Sequence, residues 1–231
     1  MKFSLLIEAA QRGDPAAAFA CGLALENGWS VEPSVAEAQK WYKLAANSLP
    51  IAKYALAKSL TVHGDPDSLG PGFAKAAAEL GLVQAATFLG LLYRHGNGVE
   101  KSEDEATRWL SLASESGDGR ATAALGSPFF QSETGTCLDV SKALPIFERS
   151  YKQGYVPAAA SIARILFQIG GQEDVAKGLA FLEEAGKQDE FDSLMMLGMI
   201  YSHGLYGQQS SSVQSDAYYK RALAAQRKIL E

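Results

Sequence analysis

Apolar positions along this chain recur three and four residues apart, in short blocks broken by glycine. Ala85, Leu89, Tyr93 and Gly96 form one set, and Ala106, Trp109, Leu110 and Ala113 form another. Each set lines one narrow face of an α-helix. The spacing predicts a first helix over about Gln84 to His95 and a second over about Glu103 to Ser116. Between them, Gly96-Asn97-Gly98 supplies residues that accept positive φ, so the chain can reverse. Ser102-Glu103-Asp104-Glu105 is a capping-box signature. The Ser102 hydroxyl accepts an orphan amide bond, and Glu105 is expected to reach back to the cap. Gly90, in mid-helix, costs about 1 kcal/mol against alanine. That cost makes sense if the missing side chain lets the partner helix come close.

Variants of this two-helix unit recur from end to end. Aligned on the end of the second helix, the copies are marked by Gly13, Leu49, Gly81, Gly117, Gly154 and Asp189, at successive differences of 36, 32, 36, 37 and 35 residues. A fixed period in this range signals a helical solenoid. The expected organisation is a single body over 1–231. It has an N-terminal capping helix in 1–13 and repeats over approximately 14–49, 50–81, 82–117, 118–154, 155–189 and 190–231. The first copy is close to the template, with a second capping box at Ser34-x-x-Glu37 and Ser30 in place of the second glycine. The second copy is degenerate: His63-Gly64-Asp65-Pro66 and Pro71-Gly72 are breakers, and its second helix, around Phe73 to Leu80, is short. In the fourth, Pro128 is expected to end or kink the first helix, while Pro145 falls in an early turn that tolerates proline. In the sixth, a polar loop from Gly207 to Gln214 precedes a last helix that begins near Tyr218. About thirteen helices are expected, and no strand.

Leu89-Gly90-x-x-Tyr93 is an element shared with the tetratricopeptide class. Together with the Gly96-x-Gly98-Val99 turn and the Ala106-x-x-Trp109 helix, it resembles the SEL-one-like repeat (SLR) family, a longer-turned relative of the tetratricopeptide repeats. The resemblance covers nearly the whole chain. It implies an all-α fold, a right-handed superhelical solenoid of antiparallel helix pairs. It also implies a non-enzymatic adaptor that binds a partner protein. Bacterial members of the family include host-contact proteins, envelope regulators and immunity proteins. The alternative role that the resemblance implies is therefore an immunity or inhibitor protein that occludes a secreted toxin or enzyme. An enzyme with a site in the groove is the rival from another class.

Composition narrows the choice. The chain of 231 residues is 47% hydrophobic and 20% charged, as in ordinary globular proteins. Its net charge of −5, with no dense basic cluster, argues against nucleic acid as a partner. Two cysteines, Cys21 and Cys137, are too few for a disulfide scaffold. They lie in copies too far apart to pair, so both read as free thiols, with Cys21 in the core. No run of about 18 apolar residues suggests a membrane span, and Phe3 to Ile7 is too short for a signal-peptide core. As written the chain reads as cytoplasmic, or as periplasmic or secreted if a leader was removed.

Motifs for phosphate loops, zinc proteases, redox pairs and serine nucleophiles are missing. His63, His95 and His203 each close a first helix of a different copy, just before glycine. They read as turn residues at helix C-termini rather than as metal ligands. No cofactor and no metal are expected. Trp41 and Trp109 fit the core stripe, whereas Trp29, in a turn, is expected to be exposed.

If the copies stack as the resemblance implies, the first helices line a concave groove. Their off-stripe positions then face the partner. By copy these are Phe19, Glu26 and Asn27; Tyr54 and Lys58; Arg94 and His95; Arg120 and Phe130; Arg164, Phe167 and Gln168; Asp192, Met199 and His203. The middle four copies each offer a cation: Lys58, Arg94, Arg120 and Arg164. Arginine pairs bidentately with carboxylates. The expected partner is a protein gripped through an acidic or carboxylate-bearing segment, a reading that Arg94→Glu with Arg164→Glu would test.

Overall fold

The computed structural model describes residues 3–64, 69–130 and 136–230, without the side chains of Ile229 and Leu230. The described residues form thirteen α-helices. These are α1 (Phe3–Gln11), α2 (Pro15–Asn27), α3 (Val35–Ala45), α4 (Pro50–His63), α5 (Gly70–Glu79), α6 (Val83–His95), α7 (Glu103–Glu115), α8 (Gly119–Gly126), α9 (Val140–Lys152), α10 (Ala158–Ile169), α11 (Gln172–Lys187), α12 (Phe191–His203) and α13 (Ser212–Leu230). Among the described residues, extended pairing is confined to one bridge between Phe130 and Cys137. The two template helices, α6 and α7, lie within a residue of the expected bounds. Of the expected capping helix, Met1 and Lys2 lie outside the described residues, as do Asp65 and Pro66 of the breaker that follows α4.

Three proline and serine positions decide local boundaries. α8 stops at Gly126 and passes into a 3-10 turn, Ser127–Phe129, as Pro128 requires. Pro145 is not in the first turn of its helix. It lies inside α9, six residues in, where its missing N–H leaves the Ser141 carbonyl without a helical bond. The last helix starts earlier than its aromatic residues suggest. The Ser211 hydroxyl accepts from Gln214 N at 3.3 Å and caps α13, so the last three residues of the expected polar loop are helix.

The helices fall into two compact units, Met1–Ser116 and Gly117–Glu231. In the first, each helix from α1 to α7 packs on the next in sequence; in the second, α8 to α13 do the same. Contacts between sequence neighbours are the defining economy of a solenoid, and each unit is an all-α solenoid stack. The ends of the copies share a backbone state. Gly13, Gly81, Gly117 and Gly154 have φ of 94°, 85°, 91° and 88°, and Asp189 has 57°. Leu49 is the exception, at −116°, because it precedes Pro50, whose ring drives the preceding residue to extended backbone.

Close packing within a copy depends on a notch. A Cβ on Gly90 would stand 2.7 Å from Leu110 Cγ and 3.2 Å from the Ala106 carbonyl oxygen. Gly22 against Tyr42, Gly126 against Phe147 and Gly198 against Tyr219 repeat the arrangement, each with no room for a Cβ. In every case the glycine is on the first helix and the large side chain on the second. The fifth copy inverts it: Gly178 is on α11, and the ring of Phe167 on α10 fills the notch.

Candidate partner-binding face

The exposed face of a first helix is set by how its C-terminal turn is tied down. The Ser102 hydroxyl accepts from Glu105 N at 3.2 Å, as a cap should. Glu105 does not reach back. Its Oε2 accepts instead from Trp109 Nε1 at 3.1 Å and from Arg108 Nη2 at 3.0 Å. The cap needs no help, because Ser102 N–H donates to the Tyr93 carbonyl across the turn at 3.0 Å. Ser34 N to Leu25 O, at 2.9 Å, and Ser211 N to Tyr201 O, at 2.8 Å, repeat that bond. It fastens the end of the first helix to the start of the second in the first, third and sixth copies.

In the first unit, α2 and α4 part to leave a cleft of about 440 Å³. The cleft brings together five of the sequence-predicted residues, Phe19, Glu26 and Asn27 from α2 with Tyr54 and Lys58 from α4. Leu23, Ile51 and Val62 add apolar lining, and the last two are exposed. Tyr54 meets Phe88 of α6 edge-on, with ring centroids 5.8 Å apart, and Phe19 lies 5.8 Å from Tyr42. Lys58 Nζ sits 5.8 Å from the Tyr54 ring centroid, within cation–π range. Glu26 is held from the core. The hydroxyl of the buried Tyr42 donates to Glu26 Oε2 at 2.6 Å. Burial first, then the bond to Glu26 and its charge, push the Tyr42 phenol well above its ordinary pKa. Asn27 Nδ2 donates to the Leu23 carbonyl at 2.8 Å. Beside the cleft, a smaller hollow of about 220 Å³ shares Leu23 and is flanked by Trp29, whose surface is 60% exposed as its turn position suggests.

Elsewhere several predicted side chains are engaged within the chain. Arg94 is no free cation: its side chain is 11% exposed, and it clamps Glu103 at the start of α7. Its Nη2 lies 2.7 Å from Glu103 Oε1 and its Nε 3.4 Å from Oε2. Phe167 is buried, because Gly178 makes room for its ring, and Tyr206 stacks on it at 4.0 Å between centroids. Gln168 holds the backbone of Cys137 with both ends of its amide, each at 2.8 Å. Phe130 packs edge-on against Phe147 at 5.5 Å. Arg120, Arg164, Asp192, Met199 and His203 stay exposed in the second unit, and His95 in the first. The Asp192 carboxyl is raised by partial burial and by Glu190, against the pull of Arg164. Both cysteines are free and buried, Cys137 in the core beside Phe147 and Ile162. Ile51, Val62 and Phe88 were not among the predicted site residues, and the repeat register gave no sign of Phe88, because it aligns Tyr54 with Thr87.

No described helix is long and apolar enough to cross a membrane. No group of three or more His, Cys, Asp or Glu among the described residues could hold a metal ion. The lining of the α2–α4 cleft joins apolar surface to Glu26, Lys58 and His63.

Comparison with known proteins agrees with the geometry. The family model described as Sel1 repeat matches residues 15–48, 83–118 and 192–225, the three copies that share the cross-turn serine bond. The Sel1-repeat-containing protein YjcO of Escherichia coli (strain K12) is 29% identical over 170 residues, covering 71% of this chain and 71% of YjcO. The crystal structure of a Sel1 repeat protein from Oxalobacter formigenes superposes with a TM-score of 0.75 at 24% identity, over 97% of this chain and 100% of that one. The immunity protein Pa5087 from Pseudomonas aeruginosa gives a TM-score of 0.50 at 22% identity, over 96% of this chain and 73% of that one. The chain thus carries Sel1 repeats at three positions along its length and has the fold of the SLR solenoid proteins.

Proposed function

We propose that this chain is a protein-binding adaptor that grips its partner on the exposed face of the first helices, with the α2–α4 cleft as the principal contact. Sel1 repeats are typical protein-interaction folds and generally non-enzymatic scaffolds. The observation that carries the reading is the cleft itself: an aromatic floor, exposed Ile51 and Val62 at its rim, and a carboxylate fixed by a buried phenol. Aromatic side chains in partly enclosed pockets are where protein interfaces concentrate their binding energy. The other predicted residues that stay exposed, His95 in the first unit and Arg120, Arg164, Asp192, Met199 and His203 in the second, belong to the same proposal as further contacts, each within its own unit. Lys58, Arg120 and Arg164 are the cations that would meet an acidic or carboxylate-bearing segment of the partner. An immunity role, the word that the name of Pa5087 carries, would be a special case of this reading; the likeness to that protein supports the shared fold.

The test is affinity capture from the source organism's lysate with the wild-type chain and with Tyr54→Ala plus Val62→Asp. The expected result is a specific partner whose recovery falls about tenfold or more with the variant, the scale of losing one hot spot. Equal recovery would move the contact away from the cleft. No specific partner under any condition would count against the adaptor reading itself.

A further inference from the structure

We infer that the α2–α4 cleft reads one short motif in a partner protein: a bulky apolar residue beside a single acidic one, in an extended segment. This rests on the adaptor reading and adds the chemistry of the ligand. The walls set the apolar part. Phe19, Leu23, Ile51, Tyr54 and Val62 surround a space of about 440 Å³, which lies within the range of clefts that hold a small ligand or a large side chain. Charge sets the rest. Lys58 is the one lysine or arginine lining the cleft, and no described carboxylate lies within ion-pair distance of it. Lys40, Lys75, Arg94 and Arg108 of the same unit each have an acid partner, at 2.6, 3.9, 2.7 and 3.0 Å. Among the described residues, then, Lys58 has no ion-pair partner, and its ammonium sits over the Tyr54 ring. A partner carboxylate is its complement.

Glu26 decides why one acid and not a run of them. It lies in the same cleft, on α2, with one oxygen held by Tyr42 at 2.6 Å. Its negative charge repels a second acid, while its other oxygen can accept a main-chain N–H of the segment. A carboxylate on the Lys58 side and an N–H on the Glu26 side give the segment a direction. Because Tyr42 is locked in the core, Glu26 is oriented before the ligand arrives, and little ordering is left for binding to do.

The experiment pans a phage-displayed library of random linear peptides on the full chain, on Lys58→Glu and on Lys43→Glu, a surface control on α3. Thermal melts confirm that each variant is folded. The wild type and Lys43→Glu are expected to enrich peptides with Asp or Glu beside Phe, Leu, Ile or Trp. Synthetic copies of these should bind Lys58→Glu about tenfold or more weakly, the scale of a lost charge pair. Replacing their acid by lysine should restore binding to Lys58→Glu. A consensus without an acid, a basic consensus, no enrichment, or undiminished binding to Lys58→Glu would each overturn the motif. If a lysate partner is still captured while any of these holds, the adaptor reading stands and only the motif fails.

Discussion

A phenol buried in α3 determines where a carboxylate on α2 points. Tyr42→Phe keeps the ring that fills the Gly22 notch and removes only the bond to Glu26. It should cost about 1 kcal/mol in urea unfolding, the net worth of one such bond. The glycines divide by cause. Gly90→Ala drives a methyl into Leu110 and should destabilise by about 1–3 kcal/mol. Gly117→Ala meets nothing within 4 Å and should lose only about 1 kcal/mol, through its φ of 91°. Side by side, the two melts separate overpacking from backbone strain. Asp139, the cap of α9, gives a pH signature. Its bond to the Lys142 side chain, then that to Ser141, hold its pKa down at about 2. A folded value below the unfolded one, about 3.9, adds stability above pH 4 that is lost as the pH falls towards 2. Urea midpoints across that window should fall less steeply in Asp139→Asn. At this scale the sequence was legible where the residue faced its own helix pair. Gly90 and the exposed Trp29 behave as their spacing says. Phe167 did not, although Gly178, a glycine where four other copies carry alanine, was the available sign that a ring would turn inward.

Between elements, the turn from α6 to α7 is held by more than its cap. The fork from Arg94 to Glu103 joins the last turn of one helix to the first of the next. Arg94→Glu would set two carboxylates together, one of them at a largely buried position. It should cost about 1 kcal/mol, the exposed side of Glu103 limiting the loss, and would thus weaken the fold before it reported on any surface. Arg94 looked like a free cation because helical periodicity gives the face of a residue, not what lies across the turn. Ser102→Ala should also cost about 1 kcal/mol, read from the same unfolding curves. Helix lengths were legible to within a residue in the template copy, where cap, stripe and glycine agree. They were not legible at α13, because Ser and Gln between Gly207 and Gln214 suit a loop and a helix start alike, and only the Ser211 cap decides. Pro145 was misplaced for a related reason: the true start of α9, at Val140, set its depth in the helix.

For the whole molecule, nearest-neighbour packing makes damage local. Gly90→Val should raise hydrogen exchange in α5, α6 and α7 well before α2 and α3, all within the first unit. Uniform loss of protection through that unit would instead mean that it melts as one block. The repeat period revealed the all-helical solenoid because each copy repeats the same burial problem. It could not reveal the cleft, because a gap between α2 and α4 depends on side chains from two copies and on the phenol of a third helix. The cross-turn serine bond carries a further consequence. It closes over nine positions from Leu25 to Ser34 and from Tyr93 to Ser102, but over ten from Tyr201 to Ser211. The same bond thus tolerates one extra residue in the stretch it spans, even where Tyr206 within the longer turn stacks on Phe167. A single residue inserted into either nine-position turn should therefore leave both flanking helices in register, so loop length here is a place where copies of the repeat can diverge without disturbing the stack.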